Sequence, residues 1–242
     1  MGFWNTFFNS SYMLAVLPEI IRVGIINTLS ISIAATILGI LIGMPMSLLA
    51  LSRMSLIRAL ARAYIDIFRG LPVIVTIFLV GQGLPFSGLR VFGQNPYPYG
   101  ILAIGIVTGA YVAEILRSGI QSVDRGQFEA SRALGLSHTR TMIQIVFPQG
   151  LRRVLPALTN QFINTIKDSS LIFVLGLSVD QREIYRIGQD YAQRTGNLSP
   201  LTMVGIAYLT FTVPLTYLVN YLDRHLREGR RPAAADRSGE VS

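Results

Sequence analysis

Long stretches of this chain carry no Asp, Glu, Lys or Arg, and that spacing restricts the possible folds more than any other feature. Residues 23–52, 70–89 and 201–222 are free of all four. A helix needs about 20 predominantly apolar residues to cross the hydrocarbon of a bilayer, and each gap approaches or exceeds that length. A helix buried in a soluble core would show a polar stripe every few residues, and these segments show none. Only 14% of residues are charged, against roughly 25% in soluble domains. In lipid the backbone must satisfy its own hydrogen bonds, and without barrel-like alternation that means helices. The pattern predicts an all-α integral membrane protein.

Five spans are expected, at about 24–51, 63–84, 99–120, 154–179 and 201–222, in one transmembrane domain covering 1–226. No separate soluble domain is expected, and the Arg/Ala/Gly-rich tail 227–242 reads as disordered. Arginines in short loops favour the cytoplasmic side. Arg53, Arg58, Arg62 and Arg69 lie around the first connection. Arg125, Arg132, Arg140, Arg152 and Arg153 occupy the third, and Arg224, Arg227, Arg230, Arg231 and Arg237 the tail. The opposite side has Arg22, Arg90, Arg182, Arg186 and Arg194, with Asp180, Glu183 and Asp190 offsetting the last three. The bias predicts an outer amino terminus and a cytoplasmic carboxyl terminus. It also accounts for the net charge of +8 without a nucleic-acid partner.

The absence of cysteine excludes disulfides, thiolate metal sites and thiol catalysis. The two histidines, His138 and His225, are far apart and belong to no metal-ligand cluster. The opening residues lack the basic region and cleavage site of a secretory signal. Matches to myristoylation (Met1-Gly2 with Thr6) and glycosylation patterns (Asn9-Ser10-Ser11, Asn197-Leu198-Ser199) are too short to carry weight. Gly39 with Gly43, and Gly105 with Gly109, form small-xxx-small pairs of the kind that lets helices approach closely in lipid.

The segment 126–156 is too polar to span a membrane and too apolar for a mere linker. Phe128 to Leu136 reads as a short helix with Phe128, Ala133 and Leu136 on one side and Glu129 and Arg132 on the other. Gly135 and Ser137 supply its stop. Such a helix can lie at a membrane interface or dock in a partner's groove. The segment resembles the EAA loop of ATP-binding-cassette (ABC) importer permeases. Glu129, Ala130, Gly135, Ile145 and Pro148 stand at the family spacing, with Ser131 where the family has Ala and Phe147 where it has Leu. The likeness extends to Asn27-Thr28-Leu29, to 64–72 (YIDIFRGLP), to Tyr111–Glu114 with Arg117 and Gly119, and to Gly126-Gln127. Pro148-Gln149 and 167–171 (KDSSL) complete a pattern similar to the polar-amino-acid subfamily.

That resemblance implies a five-helix type I importer permease in a bacterial inner membrane, forming the pathway for a polar amino acid or derivative. It implies that Glu129, Ala130, Ser131, Leu134, Gly135 and Pro148 belong to a cytoplasmic coupling helix and loop acting on a separate ATPase subunit. It further implies a second permease chain, identical or sister, and an extracytoplasmic amino-acid-binding protein. No cofactor is expected on this chain, because ATP-Mg would bind the ATPase. Consistently, the sequence has no GxxxxGK[ST] phosphate loop: its one lysine, Lys167, follows Ile166. A secondary transporter or channel is the alternative, but no inverted repeat is visible. A membrane enzyme would need a nucleophile–base arrangement, and none is present.

Ionisable groups within spans cost roughly 2.5–3.5 kcal/mol each on insertion scales, so each needs a partner or water. Asp66 and Arg69, like Glu114 and Arg117, are three apart and can neutralise each other on one helix. Lys167 and Asp168 are adjacent and do not face one another, so each must find another helix, another subunit, water or substrate. The pathway candidates are therefore Arg69, Glu114, Arg117, Lys167 and Asp168. The two charges at 167 and 168 could hold the ends of an amino-acid zwitterion.

Overall fold

A computed structural model describes residues 2–228. Among the described residues, three helical stretches are long and apolar enough to cross a membrane: Phe3–Leu49, Pro96–Gln121 and Ser199–Tyr221. A fourth is formed if Ser55–Gly70 and Val73–Phe86, bent by 107° between them, count together.

The first helical run starts well before the expected boundary at 24. It comprises α1 (Phe3–Phe7), α2 (Ser10–Glu19), a π-helical turn (Ile20–Gly24) and α3 (Ile25–Leu49). Asn9 nucleates α2 by accepting the Ser11 N–H on its side chain at 3.0 Å. After α4 (Ser55–Gly70) the chain breaks, so the expected second span at 63–84 is not one straight helix. Leu71 is extended (φ −81°, ψ 138°) because it precedes Pro72, and α5 (Val73–Phe78) begins in a new direction. A π turn (Leu79–Gly83) and α6 (Leu84–Phe86) follow.

The long central helix α7 (Pro96–Gln121) opens with an Asn95 cap and Pro96 in its first turn, the position where a missing N–H costs nothing. The polar segment that follows forms α8 (Arg125–Ala133), α9 (His138–Thr141) and a π turn (Met142–Val146) leading into α10 (Phe147–Asp168). Regular α-helix ends at Asp168. A 3₁₀ turn (Ser169–Leu175) and Gly176 at φ +74° replace the second half of the expected span 154–179. A short helix, α11 (Ile184–Thr195), precedes α12 (Ser199–Glu228). The expected disordered tail from 227 overlaps the last two residues of α12, and the rest of it lies outside the described residues.

Helix α3 runs along α7, and glycines make that contact close. A Cβ at Gly39 would stand 2.6 Å from Thr108 Cγ2, and one at Gly43 2.6 Å from the Gly109 carbonyl. On the other helix, Gly105 faces Leu38, and Gly109 faces Ile42 and the Tyr64 hydroxyl. The buried core joins α3, α5, α7 and the 3₁₀ turn through Ile31, Ala35, Ile77, Ala103, Ile104 and Ile172. A second cluster (Val16, Ile20, Ile184, Ile187, Val204) binds α2 and α11 to α12.

Candidate functional site

Helix α10 presents polar side chains outward along one face. Asn160, Asn164 and Lys167 are exposed at intervals of four and three residues, the repeat of one helical face. Beside them a cavity of about 360 Å³ is lined by Val73, Tyr111, Gln161, Asn164, Lys167 and Asp168. On its other side Lys167 borders a cavity of about 300 Å³ with Ser170, Tyr185 and Tyr208. Among the described residues, neither Lys167 nor Asp168 forms an ion pair or side-chain hydrogen bond. A cation and a carboxylate are thus left open to a ligand, with amides and a phenol around them able to orient one. Asn164, Gln161 and Tyr111 complete this setting; the sequence signal for the first two was the helical spacing of polar residues 160, 161, 164, 167 and 168.

The other pathway candidates, Arg69, Glu114 and Arg117, are already engaged. Arg117 grips Glu114 with two N–H groups, at 2.8 and 2.5 Å, and its third nitrogen donates to Gln121 at 2.6 Å. Arg69 does not meet Asp66. It approaches Glu114 at 3.9 Å, with its guanidinium 5.7 Å from the centre of the Tyr111 ring. The local spacing predicted an Asp66–Arg69 pair, but the α4–α7 contact offers Arg69 a different carboxylate. Arg69, Glu114 and Arg117 therefore form one group, linked to the cavity through Tyr111.

In the segment after α7, Asp124 caps α8 by accepting the Gly126 N–H at 2.6 Å. The helix ends in a Schellman motif: Leu136 N–H donates to Ser131 O at 3.2 Å, and Gly135 N–H to Arg132 O at 3.0 Å. Gly135 has φ +82°, where a side chain would be strained. Glu129, Ala130, Leu134 and Gly135 are all exposed, with Leu134 at 84%. Glu129 accepts from Arg125 at 3.0 Å and keeps most of its surface free. Ser131 is buried, and its hydroxyl donates to Gln127 O at 2.6 Å, so it supports the helix rather than presenting a contact surface. Pro148 opens α10. The Phe128 and His138 rings, 5.3 Å apart, brace α8 against α9.

An ion network at the other end escaped sequence reasoning. Arg182 pairs with Glu19 and with Asp190, each at 2.8 Å, and Arg186 pairs with Asp190 at 3.1 Å. Between the two arginines, Glu183 is fully buried. It caps α11 by accepting the N–H groups of Tyr185 (2.5 Å) and Arg186 (2.7 Å), and the Tyr208 hydroxyl donates to it at 3.3 Å. Burial pushes its carboxyl up to about 8, opposed by those N–H groups, the Tyr208 hydroxyl and the Arg186 charge. Nothing in the local pattern distinguishes Glu183 from a solvated loop residue.

Among the described residues, these features define a class of all-helical membrane proteins with a polar face on one long helix and a short exposed helix between two long ones. Residues 35–228 match the model of the family described as "Binding-protein-dependent transport system inner membrane component", and the chain belongs to that family. It is the permease subunit of an ABC importer, not itself an enzyme, since the ATPase of this family is a separate subunit. The chain is 32% identical to the probable glutamine ABC transporter permease protein GlnM of Bacillus subtilis, covering 85% of this chain and 92% of that protein. It is also 32% identical to the arginine transport system permease protein ArtQ of the same organism, covering 88% and 96%. Among solved structures, an amino acid ABC transporter crystallised with histidines matches at 32% identity and a TM-score of 0.77, covering 88% and 96%. The inward-facing MetNI methionine ABC transporter shares the fold at a TM-score of 0.69 and 22% identity, covering 89% and 98%.

Proposed function

We propose that the outward polar face of α10, with the cavity lined by Tyr111, Gln161, Asn164, Lys167 and Asp168, forms part of a pathway for a polar amino acid or amino-acid derivative. The observation that carries this reading is the unpaired Lys167–Asp168 step inside a segment at membrane depth. Uncompensated charge there is costly and marks a water-filled route or a ligand contact. A zwitterion offers both complementary charges, and relatives named for glutamine and arginine support the same substrate class. Arg69 and Arg117 share the one carboxylate of Glu114 and hold Tyr111 at the cavity edge.

On this reading five membrane-crossing segments make up the domain, with α4–α6 as a bent second crossing and α10 with its 3₁₀ extension as a shortened fourth. The amino terminus lies outside and the carboxyl terminus in the cytoplasm. Helix α8 is the coupling helix: Glu129, Ala130, Leu134 and Gly135 meet a groove of the ATPase subunit, while Ser131 and Pro148 hold the loop's shape. ATP-Mg binds that ATPase. A second permease chain, identical or sister, closes the pathway, and an extracytoplasmic binding protein delivers substrate. Purification of the tagged chain from gently solubilised membranes should recover the ATPase and any sister chain. Proteoliposomes of that complex with its binding protein should then take up a polar amino acid only when supplied with ATP. Uptake by the chain alone, without ATP, would overturn the proposal in favour of a secondary carrier.

A further inference from the structure

Within the Phe3–Leu49 run, the continuous helix from Ser10 to Leu49 is about 60 Å long at 1.5 Å per residue. That is about twice the roughly 30 Å hydrocarbon thickness, so the first part of the run must do something other than cross. Its opening is dense in aromatic rings. Phe3, Trp4, Phe7 and Phe8 stack into one cluster, with centroids 5.0 Å apart for Phe3–Phe7 and 5.3 Å for Trp4–Phe8. Yet the cluster faces outward: Phe3 is 65% exposed and Trp4 72%.

The chain pins this cluster beside the start of α12 through polar bonds. Leu198 N–H donates to Thr6 O at 3.0 Å, and the Asn197 side-chain amide donates to Asn5 O at 2.8 Å. The Asn9 N–H donates to Ser199 Oγ at 2.9 Å. Helix α12 thereby fixes where the rings lie along the membrane normal, just above the start of a membrane-crossing segment.

We infer that Phe3, Trp4 and Phe8 form an aromatic anchor seated in the headgroup region of the bilayer, at the end of α12 that carries Ser199. Three observations select lipid interface over other surroundings. The exposed rings continue into the exposed apolar face of the same helical run, through Leu14, Ile21, Ile26 and Ile33, so one apolar surface joins them to the membrane face of α3. No Asp, Glu, Lys or Arg precedes Glu19, whereas the core of a protein-docking surface of this aromatic content would be rimmed by polar and charged groups. Finally, α1 is a helix of five residues, and its first N–H groups, at Phe3 and Trp4, have no helical partner. Such a backbone cannot lie in hydrocarbon but is satisfied by headgroup water, the depth that amphipathic indole prefers. No charged side chain lies between Phe3 and Pro18, so the anchor holds through its rings and polar bonds rather than through attraction to anionic lipid.

Trp4 is the chain's only tryptophan, so emission excited beyond the tyrosine absorption band reports on this site alone. The purified full chain is reconstituted into phosphatidylcholine vesicles containing lipids brominated either near the headgroup or near the acyl terminus. Expected are blue-shifted emission, strongest quenching by the shallow bromines, and iodide quenching several-fold weaker than for the same chain unfolded in denaturant. Replacing a third of the lipid by phosphatidylglycerol should change none of these. Free quenching by iodide with none by brominated lipid would overturn the inference and indicate a surface open to a soluble protein. Protection from both would overturn it in favour of burial against another protein chain. Strongest quenching by the deep bromines would also overturn it, placing the segment in the hydrocarbon. None of these readings depends on which amino acid is carried or on which way the protein is inserted.

Discussion

Replacing Gly43 by Ala tests the close contact of α3 with α7, and the structure supplies an internal control. A Cβ at Gly43 would lie 2.6 Å from the Gly109 carbonyl oxygen and 2.8 Å from Val112 Cβ. Optimal non-bonded separations are about 3.5–4.0 Å, so α3 would have to retreat by about 1 Å. The obstacle includes backbone, which cannot rotate away. Overpacking of this kind costs roughly 1–3 kcal/mol. Alanine also favours helix over glycine by about 0.5–1 kcal/mol, which would mask part of the loss in a single comparison. Gly205 in α12 has nothing within 4 Å of its would-be Cβ, so Gly205→Ala carries the helix term without the clash. The difference between the two variants isolates packing. For a chain of this size each kcal/mol moves the midpoint by about 2–4 °C. Thermal unfolding of the purified chain in mild detergent should therefore place Gly43→Ala several degrees below Gly205→Ala, with Gly205→Ala at or above wild type. Equal midpoints would refute the argument that the glycines at 39 and 43 are there to admit α7.

Three further outcomes follow from the sites. Gly135→Val forces a branched side chain into φ +82°, where L-residues pay roughly 1–2 kcal/mol. It should lower substrate-stimulated ATPase activity in the assembled complex while leaving the chain inserted, and full retention of stimulation would count against α8 as the coupling element. Glu183 binds its proton more tightly folded than unfolded, its carboxyl being raised from 4.5 to about 8. Stability should be greatest below about pH 4.5 and fall as pH rises through about 8. Glu183→Gln should flatten that slope in detergent melts, and an unchanged slope would refute the assignment. Lys167→Met, which removes the cation and keeps Asp168, should cut uptake of a zwitterionic substrate at least tenfold, about 1.4 kcal/mol, with the complex still assembling. Uptake at the wild-type level would remove Lys167 from the pathway.

Features that depend on a residue and its near neighbours in the chain were legible in the sequence. The charge-free stretches required helices in lipid, because a backbone without water has no other local solution. Gly135 marked the end of α8, since only glycine tolerates that conformation without strain. Glu114 and Arg117 met as their three-residue spacing predicted, one turn apart on the same face. The glycine pairs at 39/43 and 105/109 met each other's helices, because small residues leave a groove that only another helix can fill.

What the sequence left open was decided by contacts between segments distant in the chain. Arg69 had two carboxylates within reach of its side chain. The packing of α4 on α7 gave it Glu114 and left Asp66 aside. Pro72 was visible in the sequence, but the 107° bend that follows it depends on where α5 finds its core against Ile104 and Ile172. Glu183 and Arg182 read as solvated loop residues, and became buried only because α11 folds between α2 and α12. The aromatic residues at 3–8 acquired a fixed place beside α12 only through Asn197, Leu198 and Ser199. The sequence by itself determined that the chain is helical, membrane-bound and a permease, because hydropathy and local motifs act over one or two turns. Which charges are neutralised and which remain open to a ligand was settled only in the tertiary structure, because an ion pair belongs to whichever partner the packing brings within a few ångströms.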